Sequence, residues 1–251
     1  MRSWWTALES CRKRLSGDPI SVVSKIFVYI SWYKQKNRIL FFQKAVYRFA
    51  THCNCVGEFE DISQRVDQFG DRFRALGWER TKAIWTVPQA FGGSSYWSRV
   101  PTGKEWTVQS LLAITHGALG LFYPVHPNTL DLPCFAGIVV WNAPTSSDIM
   151  DAATSIGQQL IPSLTNSALN PRVKFATYVW QRVHFGIWRV DDHILVVGVN
   201  LNPQAQRTPL AQLSGWKSHT KLKVVYDGGA SFESGDLALW GLGSVGFVVT
   251  V

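Results

Sequence analysis

The chain has 251 residues, of which 46% are hydrophobic and 17% charged, and its formal net charge is +8. This composition excludes a largely disordered protein, and the length allows one large domain or two modest ones with a sizeable core. Residues 1–50 hold ten Lys or Arg and two acidic residues, a net of +8, whereas the other 201 residues hold 15 basic and 15 acidic groups. A basic charge confined to one terminal segment carries no information about the partners of the rest of the chain, and we expect no nucleic-acid partner.

The first 57 residues form a basic segment of uncertain structure. "MRSWWTALESCRKRLSGDP" turns basic where a secretory leader needs an apolar stretch, so no signal peptide is expected in this chain. "ISVVSKIFVYISW" spans residues 20–32 and contains Lys25, which makes it too short and too polar to cross a bilayer. It fits a buried strand or helix or, with the basic residues behind it, an interfacial amphipathic segment. We expect no stable membrane insertion.

The four cysteines are Cys11, Cys53, Cys55 and Cys134. Only one residue separates Cys53 from Cys55, and this spacing matches no zinc pattern. Ordinary thiols or one incidental disulfide bridge are expected, and we expect no metal and no cofactor.

From about residue 58 the pattern becomes that of alternating helices and strands. Ile62, Val66, Phe69, Phe73 and Leu76 are spaced by three or four residues and predict one apolar helical face, which Gly77 then ends. "TKAIWTVPQ" follows as a short buried strand. This order of helix, loop and strand is typical of an α/β sheet.

The next segment, "WTVPQAFGGSSYWSRVPTGKEW", combines an aromatic loop with the start of a helix. Thr102 and Glu105 stand in the spacing of a capping box, which predicts a helix over residues 103–117 and gives Glu105 a structural role. Gln89, Tyr96 and Trp97 surround a Gly-Gly pair, and this arrangement favours a loop that holds something flat. Arg99 is expected to anchor the same loop through a carboxylate, and His116 to interact with the helix dipole.

Two apolar segments, 119–125 and 137–144, compete for the next strand. The β-branched residues Ile138, Val139 and Val140 favour the second, so we take 137–141 as the strand and 119–135 as an insertion. A helix over 146–161 is predicted next, with Pro162 at its end.

From residue 173 onward the sequence predicts consecutive short strands without helices. Two strands are expected to meet at Asp191 and Asp192, followed by three more that are broken at residues 227–229 and 241–243. Trp188 and Trp240 fit the alternation of inward-facing positions within strands, so a place in the core is expected for both. This pattern indicates an antiparallel sandwich that begins near residue 173.

Three stretches together, "VPQAFGGSSYWSRVPTGKEWTVQSLLAITHGA", "GIVVWNAPTSSDI" and the β-rich end "GFVVTV", resemble the carboxy-terminal part of fungal-type glycoside hydrolases of the (trans)glycosidase superfamily. The resemblance covers about residues 60–251 and is most specific at the PQ-x-F-G loop and the P-T-x-x-E helix start. It implies a clan A-like fold, α/β followed by all-β: the last strand-helix units of an incomplete (β/α)8 barrel over 58–168, then an antiparallel β-sandwich over 173–251. It also implies that residues 17–55 and 119–135 are foreign to the family, through translated introns or a gene-model error.

The same resemblance implies which residues face a sugar. Retaining clan A enzymes use two carboxylates, one of them at the end of the seventh barrel strand, where this chain has Pro88 and Gln89. An amide cannot attack an anomeric carbon, and the segment for the fourth strand is missing, so no catalytic carboxylate is assigned. Trp141 would lie under the sugar, Gln89 would donate to a hydroxyl, and Tyr96 and Trp97 would line a subsite. Alternatively, Trp141 packs in the core and Gln89 stabilises the loop.

Three functional hypotheses remain open at this point. The first is a truncated glycosidase that acts on an oligo- or polysaccharide and is inactive alone, and the second is a non-catalytic carbohydrate-binding or structural module. The third, a nucleic-acid or membrane-surface binder that uses residues 1–50, rests on charge alone. The family is generally secreted, which makes an extracellular location the expectation in spite of the missing leader. The sugar, the linkage and the oligomeric state do not follow from the sequence.

Overall fold

The computed structural model describes residues 58–79, 81–86, 88–90, 99–123, 138–140, 146–213 and 221–250, with the backbone alone for 121–123 and 138–140. The basic segment and the four cysteines lie outside these residues. The helices are α1 (Glu60–Ala75), α2 (Gly103–Thr115), α3 (Ser147–Ser155) and α4 (Ile161–Ala168), with a π-helical segment (Ile156–Leu160) before α4. The strands are β1 (Trp85–Thr86), β2 (Gly120–Tyr123), β3 (Ile138–Val140), β4 (Lys174–Trp180), β5 (Val183–Val190), β6 (His193–Asn200), β7 (Gln206–Pro209), β8 (Lys221–Glu233) and β9 (Asp236–Thr250). None of the helices in this described part has the length and apolar character that a bilayer crossing requires.

Strands β1, β2 and β3 form a parallel sheet in that order. Trp85 pairs with Gly120, and Leu121 pairs with Ile138. Both candidate segments are therefore strands, and the expectation that only the second one would be a strand is wrong: β2 is the middle strand. The insertion inferred for 119–135 overlaps β2, while its residues 124–135 lie outside the described part.

Helix α1 confirms the helix expected after residue 58. Val66 and Phe73 are buried on its inner face, whereas Leu76 is 46% exposed. The helix ends as the sequence predicts, because Gly77 adopts a positive φ of 66° and the N–H of Trp78 donates to the carbonyl of Phe73 at 2.7 Å.

Helix α2 is buried nearly all round. Its apolar residues Trp106, Leu111 and Leu112 are fully buried, and the polar residues Ser110 and Thr115 are fully buried as well. The reason is tertiary: α2 packs against α1 and α3 and also against strands β5, β6 and β9. A helix covered on several sides cannot show the one-sided apolar face of a surface helix.

Pro162 does not end the helix that starts at Ser147, which corrects the expectation from the sequence. The helical chain continues to Ala168, and Pro162 stands in the first turn of α4. In the π-helical segment before it, the N–H of Ile161 donates to the carbonyl of Ile156, one residue further back than in an α-helix. A proline in a first helical turn loses no hydrogen bond, so the helix continues past it.

The carboxy-terminal strands form one six-stranded antiparallel sheet among the described residues, in the order β4-β5-β6-β9-β7, with β8 also paired to β9. The turn at Asp191 and Asp192 is confirmed. The sequence predicts three final strands, but the structure has two long ones, β8 and β9. The glycine-containing segments 227–229 and 241–243 produce irregular pairing and do not reverse the chain. The carboxy-terminal half of β9 pairs with β6, and its amino-terminal half pairs with β7. These strands therefore belong to one sheet, whereas the expected sandwich has two sheets.

The helices and this sheet share one apolar core. The cluster that contains Leu111 of α2 also contains Trp188, Leu195 and Val197 of strands β5 and β6. A second cluster on the opposite face of the sheet includes Phe185, Val196 and Phe247. Trp188 is buried as expected, but Trp240 is 60% exposed, and the prediction of a core position for it is wrong.

Candidate functional site

The carboxyl edge of the parallel sheet is where the sequence analysis places the candidate site. Gln89 lies three residues beyond Thr86, the last residue of β1, and is 3% exposed. Its backbone N–H donates to the side-chain Oε1 of Gln109 on α2 at 3.0 Å, and Gln109 is itself buried. This bond fixes the chain as it leaves β1. It fits the alternative in which Gln89 stabilises the loop, and its contact with a sugar stays a prediction.

Three of the predicted site residues, Tyr96, Trp97 and Trp141, lie outside the described part of the chain. Trp141 directly follows Val140, the last residue of β3. Because β1 and β3 are both parallel to β2, the chain leaves both strands at the same edge of the sheet. The carboxyl ends of β1 and β3 therefore lie at one edge, and the sequence continues from these ends to Gln89 and Trp141.

The start of α2 is fixed by the charge pair expected from the sequence. The Arg99 guanidinium donates to both carboxylate oxygens of Glu105, each at 2.7 Å. Glu105 also accepts from the Thr102 N–H at 2.8 Å, while its own N–H donates to the Thr102 hydroxyl at 3.2 Å, which completes the capping box. The hydrogen bonds from Arg99 lower the pKa of Glu105, against the opposing effect of its burial. Glu105 therefore stays ionised and structural.

Asp148, in the first turn of α3, accepts a hydrogen bond from the backbone N–H of Gly103. This contact joins the amino-terminal ends of α2 and α3. Glu105 thus caps the start of α2, and Asp148 connects the starts of α2 and α3. Neither carboxylate is placed as a free acid or nucleophile.

A buried polar contact ties α2 to the antiparallel sheet. The hydroxyls of Tyr226 on β8 and Ser244 on β9 lie 3.3 Å apart, and both residues are buried. Burial raises the pKa of Tyr226, while hydrogen bonds to Ser244 and to Thr107 of α2 act in the opposite direction. The phenol stays neutral and serves as a link between the two layers.

A second titratable cluster lies where α1, α2 and β5 meet. His116 Nδ1 is 2.8 Å from Asp67 Oδ1, and His116 Nε2 is 2.8 Å from His184 Nδ1. Arg182, two residues before His184, donates to Glu60 of α1 at 2.9 Å. Burial, followed by the neighbouring His116, lowers the pKa of His184 to about 4. The helix-dipole role expected for His116 is not its main contact here, because both of its ring nitrogens have side-chain partners.

Sequence reasoning missed this cluster for a physical reason. Asp67 and His116 are 49 residues apart, and His116 and His184 are 68 apart. No local sequence pattern predicts such a contact, because it forms only when α1 and α2 pack on β5.

A scan against protein-family models finds no match to this chain, and neither does a search of curated proteins. Among solved structures, the chain is similar to an alpha-amylase from Geobacillus thermoleovorans in complex with acarbose, with 14% identity over 77% of this chain and 46% of that one and a TM-score of 0.46. Eubacterium rectale Amy13B gives 11% identity over 77% and 46% of the two chains, with a TM-score of 0.43. A GH27 β-L-arabinopyranosidase from Geobacillus stearothermophilus gives 10% identity over 76% and 42%, with a TM-score of 0.43.

These solved structures are carbohydrate-active glycoside hydrolases. The present chain spans less than half of their length, with shares between 42% and 46%.

Proposed function

We propose that the chain is a glycoside hydrolase-related protein that binds an O-glycosidic carbohydrate at the carboxyl edge of the β1-β2-β3 sheet. Gln89, Tyr96, Trp97 and Trp141 are the proposed contacts. The observation that supports this most is the parallel pairing of β1 with β2 and of β2 with β3, because it brings the carboxyl ends of β1 and β3, after which Gln89 and Trp141 follow in the sequence, to the same edge. Indole and phenol rings stack well on the apolar face of a pyranose, and an amide both donates to and accepts from hydroxyls.

We further propose that this chain does not hydrolyse its ligand on its own. Gln89 lies just after β1, where the glycosidase barrels that the sequence resembles need a carboxylate, and its amide is not a nucleophile. Glu105 and Asp148 are held by Arg99 and by the Gly103 N–H, so neither is available to replace the missing carboxylate. The alternative is a non-catalytic carbohydrate-binding or structural module, in which binding is the whole function.

Binding is tested by isothermal titration calorimetry with soluble oligosaccharides of different sugars and linkages. The proposal expects saturable binding of at least one of them, and it expects Trp97→Ala and Trp141→Ala each to weaken that binding by on the order of tenfold, the loss of one stacked ring. Trp78→Ala is the matched control, since Trp78 is a 40% exposed indole at the end of α1. Absence of binding to every oligosaccharide, or equal affinity in all variants, would refute the proposal.

Hydrolysis is tested with a panel of aryl glycosides. Release of the aryl group at the background rate, by a protein that binds the matching sugar, is the expected result. Turnover well above background, whether or not it persists in Gln89→Ala, would show that the chain is catalytic by itself and would overturn the second part of the proposal.

A further inference from the structure

The side chain of Trp240 is exposed at an irregular segment of β9. Gly228 pairs with Ser244 and Ala230 pairs with Leu239, so four residues of β9, 240–243, face the single residue Gly229 of β8. Trp240 begins this bulge and is 60% exposed, although the residue before it, Leu239, is 1% exposed. Bulges of this kind commonly redirect a side chain at a binding site.

The bulge is fixed by a buried asparagine. Asn200, which is fully buried, places its side-chain Nδ2 at 2.9 Å from the Trp240 carbonyl and at 2.8 Å from the Gln204 carbonyl. The N–H of Leu242 donates to the carbonyl of Asn202 at 2.9 Å. These bonds satisfy backbone groups that leave the sheet ladder, and they fix the backbone at Trp240.

Close backbone contacts give the bulge little freedom. A Cβ atom on Gly241 would lie 2.0 Å from the carbonyl oxygen of Pro203, and one on Gly243 would lie 2.6 Å from that of Gly229. Because neither residue has a side chain, the backbone of the bulge packs closely against Pro203 on one side and against Gly229 of β8 on the other. An exposed indole on such a support loses little conformational entropy when a ligand covers it.

The segments on both sides of the bulge carry polar side chains. A Cβ on Gly229 would be 3.7 Å from Trp240 Cε3, so the ring lies against a residue that carries no side chain. Asp227, exposed beside it, accepts from the Gly229 and Ala230 N–H groups through Oδ1 at 2.9 Å each. On the other side, the exposed Gln204 follows Pro203, which contacts Gly241. The two segments next to the bulge thus each supply an exposed hydrogen-bonding side chain, Asp227 and Gln204.

We propose that Trp240 is the stacking platform of a second carbohydrate site, which takes one pyranose ring of a polysaccharide. The apolar face of a pyranose matches an indole in shape, and its equatorial hydroxyls point away from the ring, where exposed side chains of the neighbouring segments such as Asp227 and Gln204 are the candidate partners. This site shares only the class of ligand with the function proposed above. It lies on β9 of the antiparallel sheet, whereas Gln89 follows β1 of the parallel sheet, and it uses none of the same residues.

The test is a depletion assay with insoluble cellulose, chitin, xylan and granular starch as probes, using the full chain. The wild-type protein is expected to bind at least one of them, with Trp240→Ala reducing the association constant by about tenfold or more and Trp240→Phe reducing it less. Trp78→Ala is expected to bind as the wild-type protein does. Circular dichroism must show the same melting temperature for Trp240→Ala and wild type, because the exposed side chain is not part of the core.

The assay also separates this proposal from the previous one. Trp97→Ala and Trp141→Ala are expected to keep the Trp240-dependent adsorption while they lose oligosaccharide binding in solution. No adsorption to any of the four probes, or unchanged adsorption by Trp240→Ala, would overturn the proposal. Adsorption lost only in Trp97→Ala would overturn it as well and would leave the edge of the parallel sheet as the single carbohydrate site.

Discussion

His116 and His184 share a hydrogen bond of 2.8 Å between Nε2 and Nδ1, at the place where the helical layer rests on the antiparallel sheet. Asp67 lies on the other side of His116 at 2.8 Å, so one chain of contacts runs from α1 through the end of α2 to β5. His184 is 6% exposed and cannot gain a proton without placing a charge in this junction.

The first prediction is that the free energy of unfolding falls as the pH falls through the histidine range. His184 has a pKa of about 4 in the folded protein against 6.5 in a free chain, so the unfolded state binds the proton first. Its contribution is complete above about pH 6.5 and is lost as the pH drops towards 4. Between pH 7.5 and 5.5 we expect a loss of about 1 to 2 kcal/mol, measured by urea unfolding at several pH values.

His184→Gln should remove most of this dependence, because the neutral amide keeps a polar group in the junction and does not titrate. The control is His193→Gln, a change at the exposed start of β6 that should leave the slope as in the wild-type protein. A slope unchanged in His184→Gln would show that other groups cause the pH effect.

The second prediction concerns the shared core. Leu111 is fully buried in the cluster that joins α2 to strands β5 and β6, so Leu111→Ala should lower the free energy of unfolding by about 2 to 5 kcal/mol. Leu169→Ala, at a residue that is 58% exposed, should change it by less than about 0.5 kcal/mol. Far-ultraviolet circular dichroism and tryptophan fluorescence should report one coincident transition. Two separate transitions, with only one of them shifted by Leu111→Ala, would show that the helices and the sheet fold as independent domains.

The third prediction concerns the start of α2. Thr102→Ala removes the acceptor of the Glu105 N–H and should cost about 1 kcal/mol, whereas Thr102→Ser should stay near the wild-type value because the hydroxyl is kept. Thermal unfolding of the three proteins measures this. Equal losses in the alanine and serine variants would mean that the methyl group, and not the cap, stabilises this helix.

Local features of the fold could be predicted from the sequence where one or two residues determine the geometry. The capping box at Thr102 and Glu105, the helix end at Gly77 and the turn at Asp191 all depend on neighbours within a few residues. Their chemistry is complete within a short window, so no tertiary information is needed.

The features that could not be predicted depend on partners that are distant in the chain. Pro162 normally marks a helix end, but the π-helical segment before it lets the helix continue. The glycines around residues 228 and 241 predict strand breaks, yet pairing partners on both sides carry the strands through them. Trp240 follows the alternation of a strand in sequence, and only the bulge, stabilised by Asn200 from β6, turns it outward.

The location of the ligand is the central claim, and hydrogen–deuterium exchange of the backbone amides tests it most directly. The measurement compares the free protein with the protein saturated by the oligosaccharide that binds best in calorimetry. The account predicts slower exchange in peptides from residues 85–109, which include Gln89, Trp97 and the Gln109 contact, and in the peptide that contains Trp141. Protection confined to α1, or no change anywhere in a protein that binds the sugar, would contradict a carbohydrate site at the carboxyl edge of the parallel sheet.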